Sequence, residues 1–373
     1  MKTPETAPPI HPLRLLGKAL LWFVIFNLLA AAVPPDLGQI SGYNLLYPGR
    51  QRFPFGENPG QSYNLSLFDL NAMFKSLALD GTPKAANEFR ILTIGDSAVW
   101  GTLLTPGQTL AGNLDARGLA LCGKQARVYN LGYPSLSLAK DLILLQQGMS
   151  YHPDLIIWLT TLEAFPQDKQ LSSPLVANNP ARARALISQY GLALNPRDPA
   201  LVEPGWLDRT IFGQRQALMN WVRLQLLGVL WGATGIDQYY PVRYQPAAVQ
   251  LSADQSYHAL TPANFEPGKL AFDLLPAGYA IAGATPILLV NEPMLISSGA
   301  NSDLRYNFFY PRWVYDRYRA LLAETARARD WQSLDAWNLV PASEFTNSAI
   351  HLTPKGEALL ADRIAAALPG ICR

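Results

Sequence analysis

Two short apolar runs without alternation, residues 155–159 and 286–290, constrain the fold of this chain most. A strand with one wet face alternates apolar and polar side chains, whereas an unbroken apolar run marks a strand covered on both faces. The neighbouring segments agree. Residues 90–94 read as a strand ending in Gly95-Asp96-Ser97, followed by a helical pattern to about residue 121. A strand over 126–130 and a helix over 138–148 come next, and after 286–290 a helix over 313–329 and a strand over 331–334. The last helix starts after Thr353-Pro354, proline being preorganised for a first turn. Strands alternating with helices predict an α/β, doubly wound parallel sheet of five strands, which binds ligands at the carboxyl ends of its strands.

The third and fourth strands are separated by residues 164–283, far more than a crossover needs. This stretch carries helical patterns at 181–190 and 207–231 and is read as a mostly helical inserted cap. Its segment 217–231 is apolar enough for a core helix, or for a lid resting on a membrane or a lipid. The α/β domain is then 89–163 plus 284–373, preceded at 37–88 by an aromatic, proline-rich segment packed on it. At the N-terminus, Lys2, Arg14 and Lys18 precede an uncharged apolar run from Ala19 to Val33 and a Pro34-Pro35 stop. Extended back to Leu13, the run reaches the ~20 residues that a bilayer requires. Residues 1–36 therefore read as a basic flank and membrane anchor, with the rest extracytoplasmic by the positive-inside rule. If the run is instead a signal peptide cleaved near Ala30-Ala31-Ala32, the protein is secreted.

A formal net charge of +2, with no basic stripe beyond the N-terminus, argues against a nucleic-acid partner. Four histidines, His11, His152, His258 and His351, share no short spacing that suits a metal. Cys122 and Cys372 are the only cysteines. Cys122 is expected where the helix after the first strand ends and Cys372 just after the last helix, both at the edge opposite the site. A disulfide between them is therefore predicted.

Acyl transfer needs a nucleophile, a base and donors for the oxyanion. Ser97 is placed for the first role, because a strand-to-helix turn exposes its hydroxyl and gathers backbone N–H groups. The elbow G-x-S-x-G is absent, since Val99 stands at its second glycine. The run Ile91-Leu92-Thr93-Ile94-Gly95-Asp96-Ser97, with Asn130-Leu131-Gly132, Pro153-Asp154-Leu155 and His351-Leu352-Thr353-Pro354-Lys355-Gly356, resembles the blocks of the SGNH (GDSL) hydrolases. That resemblance implies a flavodoxin-like strand order 2-1-3-4-5 and Ser97 as nucleophile. It further implies His351 as general base, and the N–H groups of Ser97 and Gly132 as oxyanion donors. No cofactor is implied.

Two blocks depart from the pattern. The third lacks Gly-x-Asn-Asp and reads Leu159-Thr160-Thr161-Leu162-Glu163, leaving a threonine hydroxyl, Thr161 foremost, to replace the asparagine donor. In the last, Ser348 stands where the family has its aspartate, with Asn347 beside it. The missing acid is sought at other strand ends, Glu292 before Glu163 or Asp335. Asn291 and the loop residue Asn301 are the expected substrate contacts. The function implied is a membrane-anchored serine esterase or acyltransferase acting on an O-acyl group of an envelope glycan or lipid. The alternative is an inactive binding or scaffolding protein of the same fold.

Overall fold

A computed structural model describes residues 11–33, 42–46, 49–53, 70–234 and 243–371. Its centre is one sheet of six strands: β1 (Glu88–Gly95), β2 (Ala120–Leu121), β3 (Lys124–Gly132), β4 (Leu155–Thr160), β5 (Ile287–Asn291) and β6 (Ser333–Asp335). They lie in the order β2-β3-β1-β4-β5-β6, parallel throughout except for the β2–β3 pair. The expected count of five is therefore corrected to six. The extra strand is a two-residue antiparallel edge, closed by Cys122 and Gly123, both at positive φ, as a tight hairpin turn requires. The single helix expected from Ser97 to about residue 121 is likewise broken. It becomes a turn of helix at Ser97–Trp100 and a second helix at Leu110–Ala116, separated around Pro106 and Gly107.

The unalternating runs behave as both-face burial demands. Along β4, Leu155, Ile157 and Leu159 join one core while Ile156 and Trp158 join the other. β1 divides in the same way, Phe89 and Ile91 against Leu92 and Ile94. Seven helices are numbered in chain order, α1 (Pro12–Ala32), α2 (Leu110–Ala116), α3 (Leu138–Gly148), α4 (Arg215–Thr234), α5 (Leu274–Ala282), α6 (Arg312–Ala328) and α7 (Pro354–Ala367); the helix Pro180–Tyr190 of the insertion is left unnumbered. Side chains of α2 and α7 fill one core, and those of α3, α5 and α6 the other.

α1 is long and apolar enough to cross a bilayer, with a mean hydropathy of 2.0 and few of its side chains buried; a signal sequence would pass the same test. Cys122 is disulfide-bonded. Its expected partner, Cys372, lies outside the described residues.

Candidate active site

β1 delivers the chain to the carboxyl edge of the sheet and ends at Gly95. A Cβ there would meet the Val99 side chain at 2.5 Å and the Leu159 carbonyl at 3.1 Å, so the turn closes only on glycine. Asp96 caps the helical turn that follows, its Oδ1 accepting from the Ala98 N–H at 2.7 Å. Ser97 thus opens that turn at the mouth of the sheet, half-buried. The Lys140 ammonium, fully buried on α3, donates to the Gly95 carbonyl at 2.6 Å and holds the turn from beneath.

His351 arrives from the other end of the chain. Its loop is pinned by Thr346 N–H donating to the His351 carbonyl and Leu295 N–H donating to the Ala349 carbonyl. The imidazole Nε2 lies 2.8 Å from Ser97 Oγ, and Nδ1 lies 2.8 Å from Asn347 Oδ1. An amide oxygen can only accept, so Nδ1 carries the proton and Nε2 presents its lone pair to the serine hydroxyl. This is a serine–histidine–asparagine chain. Among the described residues no carboxylate meets the half-buried imidazole to favour its charged form, and burial holds its pKa down at about 4.

The acid expected at His351 is therefore corrected. Glu292 is buried and faces the Asp96 carboxyl rather than the imidazole. Burial, then the neighbouring carboxyls of Asp96 and Glu357, push its pKa well above the usual carboxylate range. Glu163 is engaged by His258 at 2.9 Å and by Lys169. Asp335 accepts from Asn291 at 2.8 Å and from Arg319 at 2.6 Å. Ser348, beside Asn347, makes no bond to the imidazole; Asn347, four residues before His351, takes that place.

Two of the three expected oxyanion donors are also otherwise engaged. The Gly132 N–H donates to Asn130 Oδ1 at 2.8 Å. A Cβ at Gly132 would fall 2.3 Å from Trp100 N, so this glycine serves the close approach of β3 to the serine turn. The Thr161 hydroxyl is fully buried and paired with the Tyr310 hydroxyl at 2.9 Å. The Ser97 N–H remains, at the first position of its turn, where backbone donors have no intrahelical partner.

Neither expected substrate contact faces the site. Asn291 is buried, donating to Asp335 and accepting from the Tyr318 hydroxyl at 3.2 Å. Asn301, at positive φ, donates to the Leu251 carbonyl at 2.8 Å and pins its own loop.

Under the serine turn lies a polar layer that sequence reasoning missed: Asp96, Lys140, Asp141, Glu292 and Glu357, all buried. Asp141 is paired with Lys140 at 2.5 Å and accepts from Trp158 Nε1 at 3.1 Å. Burial raises the Asp96 carboxyl to about 6 against the pull of Lys140, and raises Glu357 to about 8. A carboxyl raised in the folded state keeps a proton that the unfolded chain has lost. The stability it lends is full below its unfolded pKa of 4.5 and disappears as pH climbs through about 8. His351 acts in the opposite sense, between about 4 and 6.5, so the carboxyl effect stands clear above pH 6.5. Glu357→Gln is expected to flatten the fall in melting temperature between pH 6.5 and 8, measured by calorimetry. A variant whose Tm falls as steeply as the wild type's would contradict the assignment.

A mostly parallel α/β sheet thus carries a hydrogen-bonded serine and histidine at its carboxyl edge. No protein-family model and no curated protein matches this chain. Solved structures similar to it include esterases and lipolytic proteins of the G-D-S-L family. A putative arylesterase from Agrobacterium tumefaciens is 13% identical, with a TM-score of 0.34, covering 76% of this chain and 99% of that one. Est24, a carbohydrate acetylesterase from Sinorhizobium meliloti, is 13% identical with a TM-score of 0.36, covering 75% and 98%. A lipolytic G-D-S-L protein from Veillonella parvula is 10% identical with a TM-score of 0.35, covering 74% and 96%. At these identities and scores, function has to come from the site itself.

Proposed function

We propose that this protein is a serine esterase or O-acyltransferase whose nucleophile is Ser97. The carrying observation is the unbroken chain Ser97 Oγ, His351 Nε2, His351 Nδ1, Asn347 Oδ1, with both links at 2.8 Å. In this reading Ser97 attacks the acyl carbon, His351 takes the hydroxyl proton and returns it to the departing alkoxide, and Asn347 keeps the ring in the productive tautomer. The Ser97 N–H faces the developing oxyanion. The acyl-enzyme then passes its acyl group to water or to an acceptor hydroxyl. The apolar α1 supports a tethered enzyme acting on an O-acyl group of an envelope glycan or lipid, with the described residues of the insertion ahead of α5 as its cap.

A second reading, a binding or scaffolding protein on the same fold, is favoured by the engaged Gly132 N–H and Thr161 hydroxyl. Losing one oxyanion donor costs about 2.7–4 kcal/mol. Steady-state hydrolysis of a small chromogenic acetyl ester separates the two. Turnover that disappears in Ser97→Ala supports the enzyme; a folded wild type with no turnover supports the binding protein.

A further inference from the structure

Exposed apolar side chains are not spread evenly over this molecule. Among the described residues beyond 50, thirteen large apolar side chains are exposed, and ten of them fall within 202–230. On α4, Met219, Val222, Leu226 and Leu230 recur at intervals of three and four residues and form one outward stripe. The opposite face of α4, with Leu224 and Gly228, is the buried one. Such a helix is apolar on both sides, and its outer side needs an occupant.

The position of α1 says which. The Phe212 N–H donates to Asn27 Oδ1 at 3.0 Å, so the 206–212 segment is docked on α1 five residues before its end. A 21-residue helix is about 31 Å long, close to the thickness of a bilayer's hydrocarbon. Asn27 then sits about 8 Å inside the end of that span, within the ~5–10 Å to which an interfacial segment buries its apolar face below the headgroup–acyl boundary. Exposed Trp206 is a residue type favoured there. The short helix Gly42–Leu46 is also docked on α4, its Gly42 N–H donating to Gln225 Oε1, and it exposes Leu45 and Leu46 as well. Charge agrees with a lipid surface: residues 202–234 carry Arg209, Arg215 and Arg223 against the acids Asp208 and Glu203, the latter paired with Arg184.

We propose that the outer face of α4 and the 202–212 segment rest in the headgroup layer of the bilayer that α1 spans, with the arginines meeting acidic phosphates. This inference rests on the membrane-tethered reading. It adds that the cap is held on the lipid surface, so the enzyme meets its acyl substrate at the interface. The described chain has no free cysteine, so a single introduced thiol can be labelled cleanly. Full-length protein carrying Leu226→Cys, Leu21→Cys or Phe308→Cys is labelled with an environment-sensitive fluorophore and reconstituted into vesicles of mixed neutral and acidic phospholipid. Met219→Cys stands in for Leu226→Cys if that variant fails to fold.

The expected result is a blue shift at 226 and quenching there by lipid carrying a nitroxide near its headgroup. The label at 21 is quenched by a nitroxide deep in the acyl chain, and the label at 308 stays water-like. If 21 is quenched while 226 behaves like 308, the anchor stands and the surface proposal is overturned. If 226 is shielded but not quenched by lipid, protein covers the face, which also overturns it. No quenching at 21 overturns the anchor and the proposal together. None of these outcomes bears on turnover of a soluble ester, which reports the Ser97 chemistry separately.

Discussion

Replacing Ser97 or His351 with alanine is expected to lower kcat/KM on a small acetyl ester by at least ~10³-fold, equivalent to about 4 kcal/mol of lost transition-state stabilisation. The two side chains touch at 2.8 Å and act as one unit, the histidine having no function without a proton to receive. The double variant is therefore expected to be no worse than either single one, as for other groups that work together. Steady-state kinetics on the three variants checks this. Losses that add in the double variant would mean that Ser97 and His351 act separately. Neither substitution opens a large apolar cavity, since both residues sit half-buried at the sheet's mouth. The melting temperature is expected to stay close to that of the wild type.

The second large effect is in pH dependence. The acid limb of kcat/KM reports the base of the free enzyme, and His351 must be neutral to accept the serine proton. Burial sets that base at about 4, so activity is expected to persist well below the ordinary histidine range and to fall away only near pH 4. Asn347→Asp places a carboxylate where the amide oxygen now sits, 2.8 Å from Nδ1. The charged imidazole is then favoured, and the limb moves up by ~1 unit or more. The same carboxylate stabilises the imidazolium that forms during attack, so kcat at neutral pH is not expected to fall. Asn347→Ala removes the orienting acceptor and is expected to cost ~10²-fold at every pH. An acid limb that does not move in Asn347→Asp would show that Asn347 does not govern the histidine.

The parts of this site that were legible in sequence are those fixed by short, local chemistry. Gly95-Asp96-Ser97 at a strand end and His351 before a Thr353-Pro354 helix start each declare their own backbone setting. The apolar runs at 155–159 and 286–290 declared a sheet covered on both faces, and their residues divide between two cores. The orienting acceptor was missed because Asn347 reaches back within a loop, where spacing does not fix which of two neighbours meets the ring. The sequence does not reveal which rotamer brings Asn130 Oδ1 onto the Gly132 N–H two residues on. Glu292 was chosen for standing at a strand end, but the strand turns its carboxyl into the layer shared with Asp96 and Glu357. Lys140 and Asp141 fall in the helix expected over 138–148, and their partners, the Gly95 carbonyl and Trp158, come from strands elsewhere in the sequence. Long-range pairings of this sort leave no periodic trace.

The central claim is that Ser97 is an activated nucleophile, and its most direct measurement is covalent labelling by a fluorophosphonate. The reagent reacts with a serine whose hydroxyl a neighbouring base deprotonates, and it requires no knowledge of the natural substrate. Folded wild-type protein is expected to take up one phosphonyl group, which peptide mass analysis places on Ser97. His351→Ala should label far more slowly, and Ser97→Ala not at all. Folded wild-type protein that remains unlabelled, or that carries the group on any other residue, would contradict the account.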